Sequence, residues 1–170
     1  MINFLCIIQA RLTSTRFPGK VLQTVGGIPI VRRVWLAAKD SKVDKVVAAW
    51  PERFPDLDEN NVLERFRRIS KEFPSKYIVR LTADCPLITA DIINEALEAF
   101  IDYGSVYYCN RFKYPDGFDV QVFTSFMLHR GYATHKEHVI KPEKYPTRNK
   151  YLSVDRPMDL IKVREYLNGK

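Results

Sequence analysis

Arg11, Arg16 and Lys20 crowd into one short connection together with the hydroxyls of Thr13, Ser14 and Thr15 and with Gly19. The apolar run Phe4 to Ile8 precedes this segment and a helical pattern beginning near Pro29 follows it, so the chain passes here from a strand through a basic loop into a helix. Such a loop presents many hydrogen-bond donors, three of them cationic, to an anion at the end of a strand. A nucleoside triphosphate is the anion it suits, with Arg11 and Lys20 at the two ends reaching different phosphates. The spacing is not that of a P-loop, which needs two glycines bracketing four residues and a Lys-Ser or Lys-Thr pair, and the glycines of a dinucleotide-binding turn are missing too. A solvated basic surface turn is the alternative that the residues alone leave open.

Two aspartates stand at the ends of apolar runs. Asp84 follows the apolar run Tyr77 to Leu81, and Asp155 follows the short run Tyr151 to Val154. A carboxylate at the point where a strand gives way to a loop is well placed to hold Mg²⁺. The competing roles are a turn carboxylate satisfied by backbone N–H groups for Asp84 and a helix-start residue for Asp155. Among the three histidines only His138 sits in a motif context, and a structural role ranks ahead of a functional one for it. Trp35 and Trp50 read as packing residues, and the aromatics at 107, 108, 112 and 114 suit either strand packing or a wall for a base or sugar.

The elements that must position these residues alternate. Strand patterns at Phe4 to Ile8, Lys45 to Ala49 and Tyr77 to Leu81 are separated by helical stripes, Ile30 to Ala38 behind Pro29 and Val62 to Phe73. That order implies parallel crossovers and an α/β sheet. A third helix is expected from Thr89, as its cap, to Phe100. Strands are expected at Val106 to Cys109, Asp119 to Phe123 and Tyr151 to Val154, with a Pro-Gly turn at 114–117 and a last helix from Pro157 to about Leu167. Between Phe126 and Arg148 the pattern weakens to a short helix near Thr134 to Ile140. No repeat or linker divides the chain, and one domain over residues 1–170 is expected.

Composition narrows the partners. Lys and Arg exceed Asp and Glu to give a net charge of +7, which favours phosphorylated small molecules. The basic residues are spread out and no nucleic-acid motif occurs, so nucleic acid is not an expected partner. No membrane-length apolar run and no signal pattern appears, so a cytoplasmic protein without a membrane partner is expected. Three scattered cysteines without metal-ligand spacing fit that compartment and read as small buried side chains.

The segment Ala10-Arg11-x-x-Ser14-Thr15-Arg16-x-Pro18-Gly19-Lys20-x-Leu22 resembles the signature loop of the cytidylyltransferases that make CMP-activated acidic sugars, among them the CMP-KDO and acylneuraminate synthetases. Further segments are similar, in order, to the branch typified by the spore coat polysaccharide protein F: Asp58 to Arg65, Arg80 to Ile88, Tyr114 to Phe123, Glu137-His138-Val139 and Leu152 to Leu160. The chain is shorter than that family after Trp50 and between Phe126 and Tyr151, and Ala83 stands where this branch commonly has glycine.

The resemblance implies a three-layer α/β/α domain with a mostly parallel central sheet, the nucleotide-diphospho-sugar transferase (GT-A-like, Rossmann-like) fold. It implies transfer of CMP from CTP to an acidic sugar or sugar phosphate in surface polysaccharide biosynthesis, with release of pyrophosphate and with Mg²⁺ as cofactor. Arg11, Lys20 and Asp84 would be the catalytic residues. Ala10, Arg11, Ser14, Thr15, Arg16, Gly19, Lys20, Arg80 and Thr82 would hold the nucleotide, and Asp84 with Asp155 the metal. Asn110, Arg111, Tyr114, Asp116, Asp119 and His138 fall in the acceptor region. A homodimer is left open, and the alternative function is a nucleotide-binding relative without catalysis that acts as a partner or regulator.

Overall fold

A computed structural model describes residues 2–130 and 152–169. Five strands form the main sheet: β1 (Ile2–Gln9), β4 (Lys45–Ala49), β5 (Ser75–Thr82), β6 (Tyr107–Cys109) and β7 (Gln121–Thr124), in the order β4-β1-β5-β7-β6. β1 pairs parallel with both β4 and β5, while β7 runs antiparallel to β5 and to β6. The expected parallel core is present, extended on one side by an antiparallel pair.

β1 is central, and its side chains alternate between two cores. Cys6 and Ile8 face α1 (Ile30–Lys39), α3 (Ala90–Asp102) and α5 (Pro157–Asn168) through Ile30, Val34, Ile93, Phe100, Leu160 and Val163. Leu5 and Ile7 face α2 (Val62–Glu72) and the short α4 (Ser125–His129) through Phe66, Ile69 and Leu128. Burial on both faces explains why this strand reads as a continuous apolar run rather than an alternation. Cys6 and Cys85 are buried as expected, and Cys109 is half-buried. Trp35 and Trp50 are half-buried against the first core.

The helix starts follow their caps. Asn61 accepts from the Glu64 amide at 3.2 Å to open α2, and Thr89 from the Ile92 amide at 3.4 Å to open α3. At α5 the cap is Asp159, whose carboxylate accepts from the backbone amides of Asp155 at 3.2 Å and Arg156 at 2.9 Å.

One expectation changes, and one unexpected element is present. Residues 152–154 form no strand, because their backbone is shared between two loops instead of a sheet edge: the Leu152 amide donates to the Asp116 carbonyl at 2.9 Å and the Val154 amide to the Asp84 carbonyl at 2.8 Å. A small hairpin of β2 (Thr24–Val25) and β3 (Ile28–Pro29) stands before α1, turning at Gly26-Gly27. The expected helix near Thr134 to Ile140 lies outside the described residues. Among the described residues no helix is long and apolar enough to cross a membrane.

Candidate active site at the ends of β1 and β5

Gln9 and Thr82 are register partners at the ends of neighbouring parallel strands, so the loops that follow them start side by side. Ligands in open α/β sheets sit at such carboxyl ends. A cavity of about 540 Å³ opens there, walled by the basic loop, by Thr82 to Cys85, and by Asp116, Asp119, Ser153 and Asp155.

The basic loop has no regular structure until Lys20–Leu22, a single tight turn. Gly19 takes φ 66°, a conformation glycine adopts at no steric cost, and its amide donates to the Leu12 carbonyl at 2.8 Å. The reversal sends Lys20 inward instead of out to solvent. Lys20 is buried, and its Nζ donates to Asp84 Oδ2 at 2.7 Å and to Asp155 Oδ1 at 2.9 Å. Arg16 Nη2 lies 3.0 Å from Asp155 Oδ2. Three segments far apart in the sequence thus meet at one ammonium.

Burial opposes the charge on Lys20, but the attraction of Asp84 and Asp155 and the hydrogen bonds to them outweigh it, so its pKa stands above the ordinary lysine value. Burial likewise opposes the charge on Asp155, yet Lys20 and Arg16 together leave its carboxyl below the ordinary aspartate value.

At the outer rim, Arg11 Nη1 donates to Asn60 Oδ1 at 3.2 Å, and the Thr13 hydroxyl meets the Glu59 carboxylate. The connection between β4 and α2 is therefore tied to the basic loop. Near the same rim Arg65 is buried within α2, with its Nε and Nη1 unpartnered among the described residues and Glu59, Arg11 and Glu52 as its neighbouring charges. On the floor, Cys85 Sγ lies 3.0 Å from the Thr82 hydroxyl, and burial pushes its thiol pKa well up. Ala83 is buried in the core with its amide donating to the Gln9 carbonyl at 2.9 Å, and no residue but glycine takes a positive φ among the described residues, so the extra methyl is accommodated.

Of the residues expected to hold a nucleotide, Ala10, Arg11, Ser14, Thr15, Arg16, Lys20 and Thr82 line the cavity. Gly19 and Arg80 do not. Gly19 shapes the turn, and the half-buried Arg80 donates through Nε and Nη2 to Gln9 Oε1 and through Nη1 to Gln121 Oε1, bracing the strand end from one side.

Of the expected acceptor residues that lie among the described residues, Asp116 and Asp119 reach the cavity and Asn110, Arg111 and Tyr114 do not. Asn110 is buried and spends its amide on the chain itself, donating to the Phe118 carbonyl and accepting from the Val120 amide, both at 2.8 Å. Tyr114 donates its hydroxyl to Glu95 at 2.7 Å, and Arg111 is exposed outside the cavity wall. His138 lies outside the described residues. None of the aromatics at 107, 108, 112 and 114 lines the cavity; Tyr107 stacks on Phe123 and Tyr108 on Tyr103.

Sequence reasoning missed Gln9, Val21, Cys85 and Ser153 on the wall. Gln9, Val21 and Cys85 are immediate neighbours of residues it singled out and Ser153 stands two before Asp155, which is the signal that could have found them. Ser153 donates its hydroxyl to Asp116 Oδ2 at 2.7 Å, joining the last segment to the 114–119 turn.

The donor set suits a divalent cation. Mg²⁺ takes one or two carboxylates and completes its shell with phosphate and water oxygens, and Asp84 and Asp155 already converge on one positive charge beside an open cavity. Among the described residues no group of three or more His, Cys, Asp or Glu comes together to hold a metal.

The architecture is that of the nucleotidyltransferase fold. A solved cytidylyltransferase from Leptospira borgpetersenii superposes with a TM-score of 0.81 at 21% identity, covering 100% of this chain and 88% of that one. A CMP:2-keto-3-deoxy-manno-octonic acid synthetase, solved in complex with CTP, superposes with a TM-score of 0.68 at 16% identity, covering 98% and 99%.

The cytidylyltransferase family model matches residues 5–51, the stretch holding β1, the basic loop and β4. The spore coat polysaccharide biosynthesis protein SpsF of Bacillus subtilis is 30% identical over 128 residues, 63% of this chain and 53% of that protein. The 3-deoxy-manno-octulosonate cytidylyltransferase of Rhizobium etli is 28% identical over 113 residues, 56% and 45%. The chain is a relative of the cytidylyltransferases, and its matches span about half the length of these curated proteins.

Proposed function

We propose that this chain transfers CMP from CTP to an acidic sugar or sugar phosphate, with Mg²⁺ as cofactor, releasing pyrophosphate and supplying an activated sugar for polysaccharide assembly. The observation that carries this reading is the meeting of Lys20, Asp84 and Asp155 at the end of the parallel strands, in a cavity rimmed by Arg11 and Arg16. The names of the relatives support cytosine as the base and an acidic sugar as the acceptor class.

Arg11, Arg16 and Lys20 bring positive charge to the polyphosphate, and the buried Lys20 holds its charge where phosphate oxygens approach from the open side. Asp84 and Asp155 would hold Mg²⁺, which when bound neutralises phosphate charge and eases departure of pyrophosphate. An acceptor oxygen attacks the α-phosphorus in line. The new O–P bond forms as the bond to the bridging oxygen breaks, and that oxygen leaves with the pyrophosphate. Asp116, Asp119 and Ser153 present oxygens on the wall formed by the later segments, suited to acceptor hydroxyls. The protein's part is positioning and charge, with no covalent intermediate on the chain.

The test is pyrophosphate release with Mg²⁺ and each of the four nucleoside triphosphates against a panel of acidic sugars and sugar phosphates. Release with CTP, lost in Lys20→Ala and Asp84→Ala, is expected. Calorimetric binding of Mg·CTP with no release on any acceptor would instead make the chain a nucleotide-binding partner or regulator, and full activity in both variants would overturn the site.

A further inference from the structure

We propose that Lys20 is a resident counter-ion for Asp84 and Asp155, occupying the place a divalent cation would take, so that the metal binds well only when a nucleotide arrives to receive the displaced lysine. The inference rests on the proposed reading that this site takes a metal and a nucleoside triphosphate. It concerns the order in which the charges assemble.

The geometry is specific. One ammonium lies 2.7 Å from Asp84 Oδ2 and 2.9 Å from Asp155 Oδ1, and the lysine side chain is 8% exposed against 26% and 37% for the two aspartates. The carboxylates therefore open to the cavity while the lysine enters from beneath them. A lysine buried to that degree needs its charge compensated, and Asp84 and Asp155 do so. The other oxygens are less free than they look. Asp155 Oδ2 holds Arg16 at 3.0 Å, and Asp84 Oδ1 has the weak Cys85 thiol donor at 3.8 Å.

A divalent cation shared by both aspartates needs an oxygen of each at about 2.1 Å. An ammonium at hydrogen-bond distance from those same oxygens puts like charge against that position. In the protein alone, displacing Lys20 leaves a buried cation without its partners, so the empty site resists the metal. A triphosphate changes the balance, because its oxygens accept from Lys20 as the carboxylates pass to the metal. Each carboxylate and each cation keeps an opposite charge throughout, and metal and nucleotide reinforce each other's binding by the same factor.

The experiment measures Mn²⁺ alone by electron paramagnetic resonance of the free ion, on the full chain without nucleotide and then with a non-hydrolysable CTP analogue. Wild type is expected to bind Mn²⁺ weakly by itself and at least tenfold more tightly with the analogue. Lys20→Met is expected to bind Mn²⁺ alone at least tenfold more tightly than wild type, with this gain removed by adding Asp84→Asn. Lys20→Gln, which keeps a polar donor without the charge, gives the same reading should Lys20→Met fail to fold. Mn²⁺ affinity in the nucleotide-free lysine variants equal to or weaker than wild type overturns the proposal. That comparison needs no nucleotide and no turnover, so it is distinguishable from a failure to bind CTP or to release pyrophosphate, which would overturn the functional reading.

Discussion

Replacing Gly117 by alanine puts the fold and the site under one test. Gly117 has φ 102°, and a Cβ built on it would lie 2.4 Å from the carbonyl carbon of Leu152, 2.7 Å from its oxygen and 2.7 Å from the amide nitrogen of Ser153. All three atoms are backbone, so no side chain can swing aside. Normal carbon contacts lie at about 3.5–4.0 Å, and the neighbouring chain must move by about an ångström. Overpacking of this kind costs about 1–3 kcal/mol. The positive φ adds roughly 1–3 kcal/mol for a residue with a Cβ. Together they predict a loss of about 2–6 kcal/mol, large against the roughly 5–15 kcal/mol by which domains are stable. The displaced segment also carries the Leu152 amide bond to the Asp116 carbonyl and the Ser153 hydroxyl bond to Asp116, and it leads directly to Asp155. Urea unfolding at 25 °C of wild type and Gly117→Ala measures the first effect, and calorimetric CTP binding by the folded variant the second. A variant within about 0.5 kcal/mol of wild type, below what either cost alone predicts, would refute the reasoning.

Two further outcomes follow from the same segment. Asp159→Ala removes the acceptor for the amides of Asp155 and Arg156 and is expected to cost about 1 kcal/mol in urea unfolding, with weaker CTP binding because Asp155 loses its support; no loss of stability would count against the cap. Asp155 has a folded pKa below its unfolded value, with burial opposing the charge and Lys20 and Arg16 outweighing it. Its stabilising contribution is therefore present above the ordinary aspartate range and lost as pH falls through the lower, folded value. The stability gap between wild type and Asp155→Asn should be open at pH 6 and narrow as pH falls below the ordinary aspartate range, and a gap that does not change with pH would show that these charges do not link the loop to α5.

The parallel core was legible because β1, β4 and β5 are short apolar runs separated by helical stripes, and the cap at Thr89 and the proline at the first position of α5, Pro157, mark where helices begin. The antiparallel side was harder to read. β6 and β7 are three and four residues long, and the register between them depends on Asn110 bridging to Phe118 and Val120, which no periodicity announces. The run Tyr151 to Val154 has strand-like residues, yet its described part answers to two loop carbonyls at different places in the fold. Gly26-Gly27 between Val25 and Ile28 carried a hairpin signal that the larger helix pattern behind it obscured.

The site was legible as a set of residues but not as an arrangement. A basic loop and two strand-end aspartates each point to a polyphosphate and its metal when taken singly, and in that reading every cation faces ligand. In three dimensions Lys20 faces Asp84, 64 residues on, and Asp155, 135 residues on. A lysine is satisfied equally by a phosphate or by a carboxylate, so residue type and spacing cannot choose between them. The choice is made by Gly19, which turns Lys20 inward, and by the tie of Val154 to Asp84, which brings the last segment over the end of β5. The consequence is that without ligand the charges of this site neutralise one another, and ligand binding must exchange ion pairs rather than fill a waiting field of positive charge.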